Sequence, residues 1–311
     1  HKFERLLKML VKQTNKPKNI IILNTEVLPE YSTPLIKERI EKALSGMHVP
    51  GTGEINIDVH SIQKEEFDHG GTRHYGASFS NADYLLYMTQ DAIPKNEFLI
   101  EKLLTPFSDE MVSAAYARQL SDESAKLTEA YTRIFNYPEK GYIKSKEDIN
   151  RLGIKTYFCS DVCAVYRRSV YERLGGFVAK TIFNEDMIMA SGIIKAGYSI
   201  AYVSGAKVYH SHSYTCKEQF KRNFDLAVSH VQYPSVFAEL KSENEGKKLV
   251  IQTASYLVKK RKIHLLPELI LQSGSKYLGF LAGKNYKKLP LSLIKRWSMN
   301  PGYFLTESQN S

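Results

Sequence analysis

Three groups of residues, far apart in this 311-residue chain, carry side chains whose chemistry is complementary if the fold joins them. Thr89-Gln90-Asp91 follows one apolar run and His210-Ser211-His212 another; between them Gly175-Gly176-Phe177 leads to Asn184-Glu185-Asp186. A carboxylate such as Asp91 binds Mg2+ or Mn2+, ions that prefer oxygen ligands and bridge to phosphates. Strand alternation puts His210 and His212 on one side, where one imidazole could complete a site with Asp91. The glycine turn and Phe177 make a pocket floor, with Glu185 and Asp186 at its rim as a base and its support. A partly desolvated carboxylate suits removal of a proton from a hydroxyl within hydrogen-bond reach. The set would hold a metal–diphosphate and deprotonate a hydroxyl.

Each group also has an ordinary reading. Asp91 could cap a helix starting near Pro94. Asn184 could cap the following helix, whose macrodipole favours acids in the first turn, and a strand-end histidine is commonly a packed polar residue. These readings are independent, and three coincidences in this order are harder to accept than one. Asp68-His69-Gly70-Gly71-Thr72-Arg73 is a weaker signal. It reads either as a helix N-terminus open to phosphate, with Arg73 forked onto the oxygens, or as a glycine turn with a solvated arginine.

The elements that must position these residues follow from periodicity. Phe3, Leu6, Leu7, Leu10 and Val11 make a helix face, and Asn19–Leu23 is a short β-branched strand. Residues 35–44 read as helix, 55–59 as strand, 77–81 as a helix end and 84–88 as strand. Such alternation predicts an α/β sheet with right-handed crossovers. Beyond a helical insertion over 123–135, a strand is expected at 157–166 and helices at 170–174 and 185–196. Two short strands, 199–203 and 207–209, precede a helical region with helices at 219–231, 248–260, 265–272 and 276–281. The expected division is 1–215 as an α/β unit and 216–311 as a basic helical extension.

Composition sets the limits. With 43% hydrophobic residues the chain is ordinary for a soluble globular protein, and no run of about 18 uncharged apolar residues marks a transmembrane helix. It has no signal-peptide pattern, and its start at His1 reads as a truncated or processed end. Cys159, Cys163 and Cys216 are too few for a disulfide scaffold and read as reduced, cytosolic thiols. The net charge of +10 is concentrated, since residues 216–311 hold 16 Lys/Arg against 7 Asp/Glu. Such a region meets nucleic acid, an anionic membrane or a diphosphate-bearing substrate.

The order of the chemical groups resembles that of inverting GT-A glycosyltransferases of family 2, and more closely of bacterial rhamnosyltransferases in it. The words that carry the resemblance are 67–73 (FDHGGTR), 88–92 (MTQDA), 116–119 (YARQ), 183–186 (FNED), 208–212 (VYHSH) and 222–225 (RNFD), within roughly residues 3–230. The resemblance implies a Rossmann-like nucleotide-diphospho-sugar transferase sheet with helices on both faces. Asp91 is then the remaining acid of a DxD metal motif, seen here as Gln90-Asp91-Ala92, and His210 the late metal ligand. Asp186 is the base, Glu185 its support, and Ser160 and Asp161 face the acceptor. Arg73 meets the donor diphosphate or base, Gln90 lies beside it, and Thr25 and Glu26 line the nucleobase site. The implied cofactor is Mg2+ or Mn2+, the donor dTDP-L-rhamnose and the acceptor a lipid-linked envelope glycan. UDP-GlcNAc or UDP-galactose as donor, and a non-catalytic nucleotide-sugar-binding relative, are the alternatives. The family's usual first strand has no counterpart after His1, and Asn24-Thr25-Glu26 stands where paired aspartates are familiar.

In the basic extension, Leu249, Val250, Ala254, Leu257 and Val258 form a stripe flanked by Lys247, Lys248 and residues 259–262. Tyr277, Phe280, Trp297, Tyr303 and Phe304 lie among further lysines. This pattern predicts a helix pair on an anionic bilayer, or otherwise a solvated cap. No nucleic-acid motif accompanies the charge. The expected location is cytoplasmic, peripheral on the inner face of the bacterial cell membrane, with homo-oligomerisation open.

Overall fold

A computed structural model describes residues 2–25, 28–45, 55–64, 66–123, 125–238 and 243–304. In chain order the first half contains α1 (Lys2–Val11), β1 (Asn19–Thr25), α2 (Thr33–Leu44), β2 (Asn56–Ile62), α3 (His69–Ala77), β3 (Tyr84–Met88), β4 (Ile93–Pro94), α4 (Leu99–Leu104), β5 (Val112–Leu120), α5 (Leu127–Asn136), β6 (Tyr142–Lys144) and α6 (Ile149–Leu152). The second half continues with β7 (Cys163–Arg167), α7 (Arg168–Arg173), α8 (Glu185–Lys195), β8 (Ser199–Tyr209), α9 (Cys216–Gln232), α10 (Pro234–Phe237), α11 (Glu243–Lys259), α12 (Leu266–Lys284) and α13 (Leu291–Trp297).

The strands form two ladders, a parallel β1–β2 pair and a six-stranded mixed sheet ordered β3-β7-β5-β8-β4 with β6 also on β8. Alternation along the central strands explains both faces. Ala114, Tyr116, Ala164, Tyr166, Ile200 and Tyr202 face α8 through Met189, Ala190, Ile193 and Ile194. Ala115, Ala117, Cys163, Val165 and Ala201 face α4 through Leu99 and Leu103. Burial on both sides is why these strands read as nearly continuous apolar runs.

Strand direction decides where the chemistry gathers. β7 runs antiparallel to both β3 and β5, while β5 and β8 are parallel. The carboxyl ends of β3, β5 and β8 therefore share one edge with the start of β7. Asp91, Gln119 and His210 follow or close these ends, and the Ser160–Asp161 pair precedes the start of β7. Ligands of α/β sheets sit on such an edge.

Several expected elements differ. The strand expected at 157–166 is confined to Cys163–Arg167, because Gly153–Tyr157 winds as a 3-10 helix. The two strands expected over 199–209 are one strand, with a register break between Ala117/Val203 and Arg118/Lys207 that sets residues 204–206 off the ladder. The helices expected at 265–272 and 276–281 are one, α12. Gly274 does not break it, because α12 is held along α9. A Cβ on Gly279 would stand 2.1 Å from the Phe220 carbonyl oxygen, and one on Gly283 2.2 Å from that of Phe224. The small residues let the two backbones meet. The cysteines are free, Cys159 and Cys163 being buried.

Candidate active site

The loop from α7 to α8 is bent by Gly175 and Gly176 at φ 84° and 71°, conformations that favour glycine. Phe177 is buried against Tyr87, Tyr166 and Tyr171, and its N–H donates to the Tyr171 hydroxyl at 3.2 Å. Asn184 stands at the N-cap position of α8, but its side chain makes no capping bond. It takes a left-handed conformation with φ 65° and donates through Nδ2 to Ser229 Oγ on α9 at 2.6 Å. The first helix of the basic region thus holds the acid-bearing loop. Nor does a helix follow Asp91 directly, since Ile93–Pro94 pairs with β8.

Asp186 is half-buried at the α8 N-terminus, and its Oδ1 accepts the Met187 N–H at 2.7 Å. Burial and then the neighbouring Glu185 charge push its carboxyl up to about 7. That suits a base working near neutrality. Glu185 is buried and paired with Arg73 Nη1 at 3.0 Å. The same guanidinium lies 3.7 Å from Asp161 Oδ2 and donates to the His69 carbonyl at 2.8 Å. Asp161 is buried and receives the Tyr166 hydroxyl at 2.6 Å. Burial drives its pKa well above the ordinary carboxylate range. One arginine therefore sits among acids from the turn before β7 and from α8.

This wiring predicts a stability effect. Arg73→Ala would leave the buried Glu185 without its cation, a loss of about 3 kcal/mol. Chemical denaturation at neutral pH reads the loss, and Arg73→Lys, which keeps the charge, should recover part of it. A loss as large for Arg73→Lys as for Arg73→Ala would contradict the ion-pair account.

The N-terminus of α3, read as a phosphate site, already has an anion. Asp68 Oδ1 accepts from the N–H groups of Gly70 at 3.0 Å and Gly71 at 2.7 Å. The helix is capped from within its own chain.

The second centre is Asp91 with His210 and His212, whose ligand atoms lie within 4.8 Å of one another. Asp91 carboxylate oxygens stand 3.6 Å from His210 Nε2 and 3.5 Å from His212 Nε2, and the two imidazole nitrogens are 2.8 Å apart. Octahedral ligands about 2.1 Å from an ion stand about 3.0 Å from each other, so modest adjustment admits one cation. Gln119 supplies the strongest test of fit. Its Oε1 accepts from Arg133 and its Nε2 donates to Ser160 Oγ at 3.1 Å. Its oxygen therefore faces His210 Nδ1, at 3.0 Å, and that nitrogen must carry the proton. The Nε2 lone pair is left toward Asp91 and His212, the arrangement by which an outer partner orients a histidine for a metal. Burial, then the Arg133 charge, lowers the His210 pKa to about 3, so the imidazole is neutral. The donor set fits a divalent cation.

Gln119 also joins the centres. It bonds Ser160, the next residue is Asp161, and the Asp161 backbone hydrogen-bonds Asp186. Beside it opens a cavity of about 220 Å3 lined in part by Arg118, Gln119, Arg133, Tyr137 and Tyr209. Arg222 on α9 lies over the Phe183 ring at 4.5 Å and the Tyr214 ring at 5.7 Å. Its charge reaches both His69 and His212. Gln90 is exposed and Thr25 closes β1, and among the described residues neither bonds to the Asp91 group. Glu26 lies outside the described residues.

The glycosyl transferase family 2 model matches residues 1–175, more than half of the chain. The chain belongs to that family. This transferase is 38% identical to the O-antigen chain rhamnosyltransferase WbaN of Salmonella anatum over 295 residues, 94% of this chain and 88% of the relative. It is 40% identical to the O-antigen chain rhamnosyltransferase RfbN of Salmonella typhimurium over 251 residues, 80% of each. The transferase has the GT-A fold. A mannosyltransferase from Pyrobaculum calidifontis, solved with GDP-Man and Mn2+, superposes with a TM-score of 0.55 at 13% identity, covering 99% of this chain and 82% of that one. S. aureus TarS with UDP-GlcNAc gives 0.51 at 12% identity, over 92% and 87%.

Three side chains had no assigned role in the sequence reading. His212 was readable from the His-Ser-His alternation as an equal of His210. Gln119 is a buried amide ending an apolar strand, and a polar group there needs partners. Arg222 carried no signal alone, because the Phe183 ring under it comes from a distant loop.

Proposed function

We propose that this glycosyltransferase moves L-rhamnose, with inversion, from dTDP-L-rhamnose to a hydroxyl of a lipid-linked glycan at the inner face of a bacterial cell membrane. One observation carries the reaction type: a raised-pKa carboxylate, Asp186, tied through Asp161, Ser160 and Gln119 to a carboxylate–histidine group. The two rhamnosyltransferase relatives support the sugar and the class of acceptor.

Asp186 takes the proton of the acceptor hydroxyl as its oxygen attacks the anomeric carbon from the face opposite the diphosphate. Glu185 and Arg73 hold that carboxylate in place. The Arg73 ion pairs favour this positioning role over contact with the donor diphosphate. Asp91, His210 and His212 would hold Mn2+ or Mg2+, which when bound offsets the charge of the leaving diphosphate. Two imidazoles among three ligands favour Mn2+, since Mg2+ prefers oxygen. Arg222, steadied by rings, adds a cation on the diphosphate side. Gln90 and Thr25 line the donor side. Ser160, Asp161 and the adjoining cavity receive the acceptor.

A donor panel tests the reading. With Mn2+ present, dTDP-L-rhamnose should be turned over at least tenfold faster than UDP-GlcNAc or UDP-galactose, with anomeric inversion in the product by NMR. Preference for a UDP-sugar would overturn the donor, and no turnover of any donor would favour a binding protein.

A further inference from the structure

The α12 helix is apolar on two opposite sides. One side is covered: Leu269, Gly279 and Gly283 are buried, the glycines against α9. The other carries Ile270, Leu271, Tyr277, Leu278 and Leu281, between 48% and 67% exposed. Their spacing of 0, 1, 7, 8 and 11 residues places them on a single stripe at 3.6 residues per turn. A stripe facing water is normally polar, and a continuous exposed patch of large apolar side chains marks an interaction surface.

The surroundings of the stripe identify what it meets. Residues 259–304 hold 10 Lys/Arg and a single acid, Glu268, which is itself paired with Lys126. Lys259, Lys260, Arg261 and Lys262 are exposed at the turn into α12, and Lys287, Lys288 and Arg296 are exposed beyond its other end. Ile263, also exposed, extends the apolar surface into the basic turn. A second copy docked on this face would bring like charges together. An anionic phospholipid surface supplies both an apolar layer and opposite charge. No helix among the described residues is long and apolar enough to cross a membrane, so the fit is to the interface plane.

We propose that α12 lies in the headgroup layer of an anionic membrane, with Ile270, Leu271, Tyr277, Leu278 and Leu281 buried among lipid and the flanking lysines on phosphates. This rests on the reading of a lipid-linked acceptor and gives it a geometry. The opposite side of α12 packs on α9, the helix that holds Asn184 through Ser229 and carries Arg222. Packed helices lie about 8–10 Å apart, so the acid loop is held one helix layer above the lipid. Of the residues the sequence pattern points to, Tyr277 and Val258 are exposed, whereas Leu257, Phe304 and much of Trp297 are buried against the protein.

The test is co-sedimentation of the full chain with vesicles of phosphatidylethanolamine containing roughly 30% phosphatidylglycerol, against phosphatidylcholine alone. The wild type should partition to the anionic vesicles and be released by salt. Leu271→Ser/Tyr277→Ser/Leu278→Ser should lower partitioning about tenfold, and Lys287→Ser/Lys288→Ser several-fold, both with wild-type Tm. Unchanged partitioning in the triple variant, or none in the wild type, overturns the proposal. So does a triple variant that only turns a dimer into a monomer, which would make a second copy the occupant. Rhamnose transfer to a water-soluble acceptor separates the two readings. Transfer without vesicle binding sinks the surface alone, whereas vesicle binding without transfer sinks the function alone.

Discussion

Asp186→Asn should lower kcat of sugar transfer by about 10^3–10^4-fold while leaving the fold and donor affinity in place. The amide keeps the size and the hydrogen bond from Met187 but cannot take a proton. Donor affinity, read by calorimetry, should stay within a factor of two or so, because this group meets the acceptor. Turnover near wild type would remove Asp186 as the base. The pH profile gives a second reading. The folded carboxyl titrates at about 7, so kcat/KM should rise with pH through that region as the base ionises. Glu185 adds to this upward shift through its charge. Glu185→Gln removes the charge and leaves Arg73 to favour ionised Asp186, so the rising limb should move to lower pH. A limb that stays in place would assign the titration to another group.

The sheet and its edge were legible because the central strands are buried on both faces and read as apolar runs. The same property put Asp91 and His210 at strand ends. What could not be read depends on contacts between distant segments. Asn184 looks like a cap by type and position, but Ser229 from α9 pulls its side chain away. Arg73 looks free in sequence and is taken by acids more than 80 residues further on. Ser204-Gly205-Ala206 looks like a loop and is a bulge, because β8 continues on the same partner. Gly274 looks like a helix end, yet packing on α9 carries α12 past it. Local propensity was overridden in each case by a tertiary contact.

Asp91→Ala and His210→Ala should each cut transfer by about 10^3-fold, as expected when several kcal/mol of charge stabilisation on a leaving diphosphate is lost. Neither loss should be restored by raising Mn2+, since a ligand is gone. Gln119→Leu should behave differently. It keeps all three ligands but frees the His210 ring, so Mn2+ affinity should fall about 10–100-fold while kcat at saturating Mn2+ recovers. Calorimetric Mn2+ titration of each variant, run beside the activity assay, separates a ligand from a residue that orients one. Full wild-type activity in chelator would show that the group does not work through a metal. The contrast between Gln119 and His210 is the more exacting measurement. Gln119 also bonds Ser160, so a purely structural amide would disturb the acceptor side. Added Mn2+ could not repair that, and only an amide that sets the His210 tautomer predicts rescue.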